Sequence, residues 1–315
     1  MKKLLIVVPC YNEEEVLPST LKTMSELLSK MISDKMVSPD SRVHFVDDGS
    51  ADKTWEILTK ACKKNKLFEA SKLSRNFGQL GAMLSGIYDN EADLYCTIDS
   101  DLQDDPNCII EMVAKIKNGC EIVYGVRKKR DSDVFLKRIT AKLFYKTMAL
   151  LGVKMIPNHS TFRMMTKRAV EELKKFPERN LFLPAMVPLV GFKSDMVYYD
   201  RSPRMAGQTK YSMRKLLALA WNGISSFSIV PLRLVTLMGF LISFLGACFV
   251  LRIFINYNTH GSVSGWASTV TLITLFSGVQ MVSLGIIGEY IAKIFVEVKR
   301  RPLYIVDEKV KNDAL

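Results

Sequence analysis

The chain has only three histidines, and none of its six cysteines forms a C-x-x-C pair. Cys10, Cys62, Cys96, Cys108, Cys120 and Cys248 stand singly, several of them inside apolar runs. That spacing fits buried free thiols in a reducing, cytosolic setting better than a zinc site or a disulfide framework. The scattered histidines offer no metal cluster. Internal repeats and low-complexity segments are also absent. The start, Met1-Lys-Lys-Leu-Leu-Ile-Val-Val-Pro9, resembles a secretory leader but has no small-residue cleavage site. Its apolar run stops at Pro9 before Tyr11-Asn12-Glu13, so it is expected to be a first buried strand.

A further absence sets the membrane topology. The stretch Ile253–Gly265 has no Lys or Arg, and it separates two charge-free runs, Leu234–Leu251 and Trp266–Gly288. Each run is long enough to cross a hydrocarbon core of about 30 Å as a helix. Both are apolar all round, which favours lipid over a protein core. Basic residues gather outside them: Lys210, Arg214, Lys215 and Arg233 before, then Lys293, Lys299, Arg300, Arg301, Lys309 and Lys311 after. The positive-inside rule then puts both ends in the cytoplasm, with an external hairpin at Asn258–Gly261. The expected organisation is a cytosolic domain over 1–228, spans near 233–255 and 266–289, and a basic cytosolic tail over 293–315. The net charge of +12 crowds into Arg127–Lys175 and beside the spans. That distribution suits an anionic membrane face and phosphate ligands better than nucleic acid.

The 48% hydrophobic content exceeds what one soluble domain needs, and the spans supply the excess. Up to about residue 125, short apolar runs alternate with amphipathic stretches. Strands are expected at Leu4–Val8, Val43–Val46, Phe68–Leu73, Leu94–Ile98 and Ile122–Tyr124. Helices are expected near Glu14–Lys30, Lys53–Asn65, Gly78–Asn90 and Asn107–Asn118, the last between Pro106 and Gly119. This order implies an α/β fold, a mostly parallel sheet with helices on both faces. Ligands in such sheets sit at the carboxyl ends of the strands. Four polar clusters fall there: Pro9–Glu13, Asp47–Ser50, Ser74–Gly78 and Asp99–Asp101. Arg138, Lys142 and Lys146 make a basic stripe on an apolar helix within 132–151, suited to a membrane interface, and 211–228 can be a second such helix.

Asp99 and Asp101 stand one residue apart at the end of the run Leu94–Ile98. Oxygen-only ligands in that pattern suit Mg²⁺ or Mn²⁺, which keep open positions for phosphate. Alone, the pair also fits a solvated acidic turn; the other three strand-end clusters favour the metal.

Taken in order, several motifs resemble the family-2 glycosyltransferases of GT-A fold. They are Val8-Pro-Cys-Tyr-Asn-Glu13, Val46-Asp-Asp-Gly-Ser50, Leu73-Ser-Arg-Asn-Phe-Gly78, Ile98-Asp-Ser-Asp-Leu-Gln-Asp-Asp-Pro106, Gly125-Val-Arg127 with Arg130, and Ala206-Gly-Gln-Thr-Lys-Tyr211. Gly288-Glu-Tyr-Ile-Ala-Lys293 and Arg300-Arg-Pro-Leu-Tyr304 extend the likeness to the bacterial polyprenyl-phosphate glycosyltransferases, relatives of dolichol-phosphate mannose synthase. The resemblance implies an inner-membrane transferase that moves one hexose, glucose or N-acetylglucosamine, from a UDP-sugar to undecaprenyl phosphate with inversion. The product would serve cell-envelope polysaccharide modification.

By the same resemblance, Pro9, Tyr11, Glu13, Asp47, Asp48, Arg75 and Asp99 would line the donor. Asp99 and Asp101, with Gln103, would hold the metal. Arg127, Arg130 and Arg163, then Arg201 and Lys210, would meet the acceptor phosphate, with Asp101, Arg127 and Arg163 closest to the chemistry. Membrane lipid, a homo-oligomer and a flippase are the partners such an enzyme would have; nucleic acid is not. Many of these enzymes carry an acid where this chain has Thr161, ahead of Phe162-Arg163. A phosphate monoester with a second pKa near 6 is largely a dianion at neutral pH, so attack needs no base. Two other classes fit less well. A processive polysaccharide synthase would carry Gln-x-x-Arg-Trp, and no Trp here follows an Arg. A non-catalytic scaffold of a lipid-linked sugar pathway would not need the Asp99/Asp101 pair.

Overall fold

The computed structural model describes residues 1–128, 159–178, 183–200, 228–260 and 265–311. Within them the order is β1 (Leu4–Cys10), α1 (Leu17–Ser33), β2 (Arg42–Asp47), α2 (Thr54–Lys64), β3 (Phe68–Leu73), α3 (Gln79–Tyr88), β4 (Leu94–Thr97), α4 (Cys108–Lys117) and β5 (Ile122–Arg127). Then come β6 (His159–Thr166), α5 (Lys167–Lys174), α6 (Leu183–Leu189), β7 (Ser194–Tyr199), α7 (Val230–His260), α8 (Trp266–Lys299) and β8 (Val306–Val310). The expected strands and helices up to residue 125 all form, β3 with the expected bounds and the others with at least one end shifted by one to three residues.

One sheet runs in the order β7-β5-β6-β4-β1-β2-β3-β8. Strands β4, β1, β2 and β3 are parallel neighbours, and β1 is buried along its whole length. Such a strand, covered on both faces, reads in sequence as an unbroken apolar run. The chain winds outward through β2 and β3 and then crosses back to β4 on the other side of β1. Order therefore reverses between β1 and β4, the kind of crevice where open α/β sheets bind ligands.

The parallel pattern does not extend throughout. Strand β6 lies antiparallel between β4 and β5, and β8 is antiparallel to β3. The segment 293–315, expected as a basic tail, is thus in part structural: α8 continues to Lys299, and Val306–Val310 closes an edge of the sheet. Covering that edge removes a row of unpaired backbone groups.

The described residues divide into two units: the sheet with α1 to α6 and the segment from Arg301, and the helix pair up to Arg300. In the helix unit, Val230–Phe249 and Leu275–Lys299 have mean hydropathies of 2.0 and 1.5 and are long enough to cross a membrane. In the sheet unit five cysteines are buried and unbridged, while Cys248 on α7 is exposed. The expected interfacial helices over 132–151 and 211–228 lie outside the described residues, apart from Ser228.

Candidate active site

Four loops meet at the carboxyl ends of the parallel strands. The loops after β1 and β2 are bound to each other. Asn12, in the left-handed region at φ 52°, donates its N–H to Ser50 Oγ at 2.9 Å, and its side-chain oxygen accepts the N–H of Ala51 at 2.9 Å. The Glu13 N–H donates to Thr54 Oγ1 at 2.9 Å. Pro9 is buried beneath this junction, Glu13 is half-buried and Tyr11 is 40% exposed at the rim.

Asp47 and Asp48 have different surroundings. Asp48 accepts the N–H groups of Phe77 at 2.7 Å and Gly78 at 2.9 Å, so its carboxylate pins the loop after β3. Asp47 Oδ1 accepts the Ser50 N–H at 3.2 Å, and among the described residues its buried Oδ2 has no hydrogen-bond partner. Burial raises both carboxyls above the ordinary carboxylate range. Of the two expected donor ligands, Asp48 holds the loop and Asp47 keeps unused acceptor capacity. Gly49 makes the close approach feasible. Its φ is +68°, and a Cβ there would stand 2.6 to 2.9 Å from the backbone of Arg75 and Asn76. Arg75 is exposed, with its guanidinium 4.0 Å over the Phe77 ring.

The fourth loop carries Asp99 and Asp101. Asp99 Oδ1 accepts two bonds, from Gln79 Nε2 at 2.7 Å and from Thr161 Oγ1 at 2.8 Å. Burial, then the charges of Asp104 and Asp101, raise its pKa to about 6, while the Thr161 bond and Arg127 pull the other way. Asp101 Oδ1 accepts the Gln103 N–H at 3.2 Å in a tight turn through Leu102, at φ 51°. Gln103 is buried at 5% exposure. Ser100 is anchored from α1, its carbonyl accepting the Thr20 hydroxyl at 2.7 Å.

Asp104, which sequence patterns left as part of an acidic turn, is a hub. It is 1% exposed, and its Oδ1 accepts Arg127 Nε at 3.2 Å, Arg127 Nη2 at 3.1 Å and the Tyr199 hydroxyl at 2.7 Å. Arg127, expected at the acceptor phosphate, is thus tied to the loop after β4, though its side chain stays 31% exposed. Arg163 is 2% exposed, and burial lowers its pKa to about 10, against the opposing effects of Tyr124 and Asp99. It lies within the sheet rather than on an open surface. Arg130, Arg201, Lys210 and the loop Ala206–Tyr211 lie outside the described residues. Gln79, Asp104 and Tyr199 were missed in sequence. Gln79 directly follows one quoted motif and Asp104 lies inside another, but Tyr199 had no local signal.

Among the described residues no group of three His, Cys, Asp or Glu side chains forms a metal cage. The two carboxylates and the Gln103 amide are oxygen donors of the type that suits an ion sharing its coordination with a phosphate ligand. Burial first, and then the charges of Asp104 and Asp101, raise the pKa of Asp99; a cation there would offset the second of these causes.

Comparison with known proteins adds to this geometry. Residues 5–174 match the family described as glycosyl transferase family 2. The chain is 47% identical over 314 residues to the uncharacterized glycosyltransferase YkoT of Bacillus subtilis (strain 168), covering 99% of this chain and 93% of that one. It is 36% identical over 315 residues to a prophage bactoprenol glucosyl transferase homolog of Escherichia coli (strain K12), covering 98% and 100%. It is 35% identical over 313 residues to an SfII prophage-derived bactoprenol glucosyl transferase of Shigella flexneri, covering 99% of each. Among solved structures it is similar to glucosyl-3-phosphoglycerate synthase of Mycobacterium tuberculosis, at 16% identity and TM-score 0.47 over 72% of this chain and 79% of that one.

Proposed function

The chain belongs to glycosyl transferase family 2, and from that premise we propose that it moves one glucosyl group from a UDP-sugar to undecaprenyl phosphate at the cytoplasmic membrane. The observation that carries this is the likeness, over nearly the full length, to proteins named bactoprenol glucosyl transferase. The strand-end cluster of Asp47, Asp99 and Asp101 beside Arg127 supplies a site of matching chemistry.

In this mechanism Asp47 and the rim residues Tyr11 and Glu13 receive the nucleoside. Asp99, Asp101 and Gln103 would hold Mg²⁺ or Mn²⁺, whose charge offsets that of the leaving diphosphate. Gln79 and Thr161 orient Asp99. An acceptor phosphate oxygen attacks the anomeric carbon as the bond to the UDP oxygen breaks, so an α-linked donor gives a β-linked sugar phosphate. The dianion brings its own electron pair and no proton has to leave it. Arg127, oriented by Asp104 and Tyr199, and the buried Arg163 on β6 supply positive charge on the side of β5 and β6.

The membrane placement is part of the same proposal. Basic flanks and the uncharged hairpin support spans formed by α7 and α8, with both ends cytoplasmic. The chain leaves the sheet unit before α7 and rejoins it at Arg301, as two crossings require.

Purified full-length protein in nanodiscs with undecaprenyl phosphate tests the reading. UDP release from UDP-glucose should exceed that from UDP-N-acetylglucosamine, need Mn²⁺ or Mg²⁺ and stop with EDTA. No release from any UDP-sugar would overturn the transferase assignment; release without an added lipid phosphate would overturn the acceptor.

A further inference from the structure

The segment that follows the helix pair contacts the donor side at both ends of α3. The Ile305 carbonyl accepts the N–H of Ser74, the first residue of the loop after β3, at 2.9 Å. The far end of that loop gives its N–H groups to Asp48. In the first turn of α3, a Cβ on Gly81 would meet the Leu303 carbonyl at 3.3 Å. At the other end, Asp89 caps α3 and receives two bonds: the Tyr304 hydroxyl on Oδ1 at 2.7 Å and Lys309 Nζ on Oδ2 at 3.3 Å. Strand β8 fixes the segment along β3, and Glu308 accepts Trp55 Nε1 at 3.2 Å. Helix α3 in turn begins with Gln79, which holds Asp99 at 2.7 Å.

Two continuous lines of contact therefore run from this segment to the donor carboxylates. One passes from Ile305 through Ser74–Gly78 to Asp48. The other passes from Tyr304 and Lys309 through α3 and Gln79 to Asp99. We propose that residues 301–310 are a strap that positions the donor-binding loop and α3. Tyr304, Ile305 and Lys309 are then positioning residues for nucleotide-sugar binding, acting through Ser74, Asp89 and Gln79. This rests on the reading of the strand-end loops as a UDP-sugar site.

Full-length Tyr304→Phe and Tyr304→Phe/Lys309→Met test it, with Lys22→Met, an exposed residue on α1, as control. Loss of one net hydrogen bond corresponds to about a fivefold change. UDP-glucose affinity by calorimetry and donor KM should weaken about fivefold in the single variant and roughly tenfold in the double. Turnover number and acceptor KM should stay within about twofold, because among the described residues the strap contacts named above run to α2, β3 and α3, on the donor side. Amide hydrogen exchange over 74–89 should quicken, with α1 unchanged. Tyr304→Phe keeps the ring and carries the test if the double variant does not fold. Unchanged donor affinity, or a fall in turnover with donor KM intact, overturns the strap. A wild-type protein that binds no UDP-sugar overturns the donor reading instead.

Discussion

Leu4, Ile6 and Val8 of β1 are each 0% exposed, whereas Leu237, Phe240 and Leu241 of α7 are 64%, 71% and 57% exposed. The same class of side chain has opposite surroundings in the two regions. In the sheet unit the chain covers its own apolar surface, with α1, α4 and the neighbouring strands closing over β1. In the helix unit the two windows long and apolar enough to cross a membrane are 0% buried within the chain. At about 25 cal/mol per Å² of apolar surface, water is an unfavourable neighbour for such helices. Their apolar partner is lipid in the reading proposed above. Polar residues divide in the same way. In the sheet unit they collect at one edge and bond to one another, which makes a site; the two helices offer length and an apolar exterior.

The largest expected effect falls on the polar edge. Asp101→Asn should remove transfer by roughly two to three orders of magnitude, the scale of one lost electrostatic contact to the reacting centre. Membrane association and the melting temperature should barely change. If transfer survives at more than a tenth of the wild-type rate, the Asp99/Asp101 pair is a structural turn. The converse change is Leu241→Lys on α7. A lysine at mid-span disfavours insertion by about 2.5–3.5 kcal/mol. The variant should move from carbonate-washed membranes toward the soluble or aggregated fraction while the sheet keeps its circular dichroism. Unaltered partitioning would mean that protein, not lipid, covers that face.

The two regions also differ in how plainly the sequence announced them. Strands β1 to β4 and helices α1 to α4 were legible because each is a local pattern: a continuous apolar run, a 3.6-residue stripe, Pro106 before α4 and Gly119 after it. The two long apolar helices, α7 and α8, were legible for the same reason. Strand β8 was not, because Val306-Asp-Glu-Lys-Val310 is mostly charged and becomes a strand only when β3 offers an edge across more than two hundred residues of chain. Asp99 and Asp101 were visible from spacing, but the partners that orient the cluster were not. Asp104 meets Tyr199 only because β7 lies parallel to β5, and Asp48 proved to hold a loop because Gly78 folds back onto it. A motif names residue types; which oxygen is already occupied depends on tertiary contacts.

A smaller effect should follow from Gly49→Ala, which attacks the join between two loops of the site. The added Cβ meets backbone at 2.6 Å in a conformation unfavourable to alanine. The expected cost is about 1–3 kcal/mol, seen as a lower melting temperature and weaker UDP binding together. A fall in melting temperature with UDP affinity intact would show that the Asp47–Ser50 and Ser74–Gly78 loops need not abut for donor binding.

The mildest change concerns Thr161, where the polar edge is tuned rather than broken. Its hydroxyl donates to Asp99, a bond that lowers a carboxyl pKa otherwise raised by burial, Asp104 and Asp101 to a net value of about 6. A folded-state value above the ordinary carboxylate range means that Asp99 favours the folded protein in its protonated form. Its contribution to stability is therefore present at low pH and is lost as pH rises toward 6. Cation binding has the opposite sign, because only the carboxylate binds the ion, so affinity should fall as pH drops through 6. Thr161→Val removes the donor and should move that limb upward by about half a pH unit to one, the worth of one hydrogen bond. Mn²⁺ affinity, followed by electron paramagnetic resonance without acceptor, isolates the effect from an acceptor phosphate that titrates in the same range. A limb that stays in place would show that Thr161 does not tune Asp99. Thr161→Asp sets a second carboxylate against Asp99 and should move the limb further in the same direction. It distinguishes a position that adjusts the charge of Asp99 from one that takes a proton from the acceptor, since only the latter would raise turnover at a pH where Asp99 is already ionised.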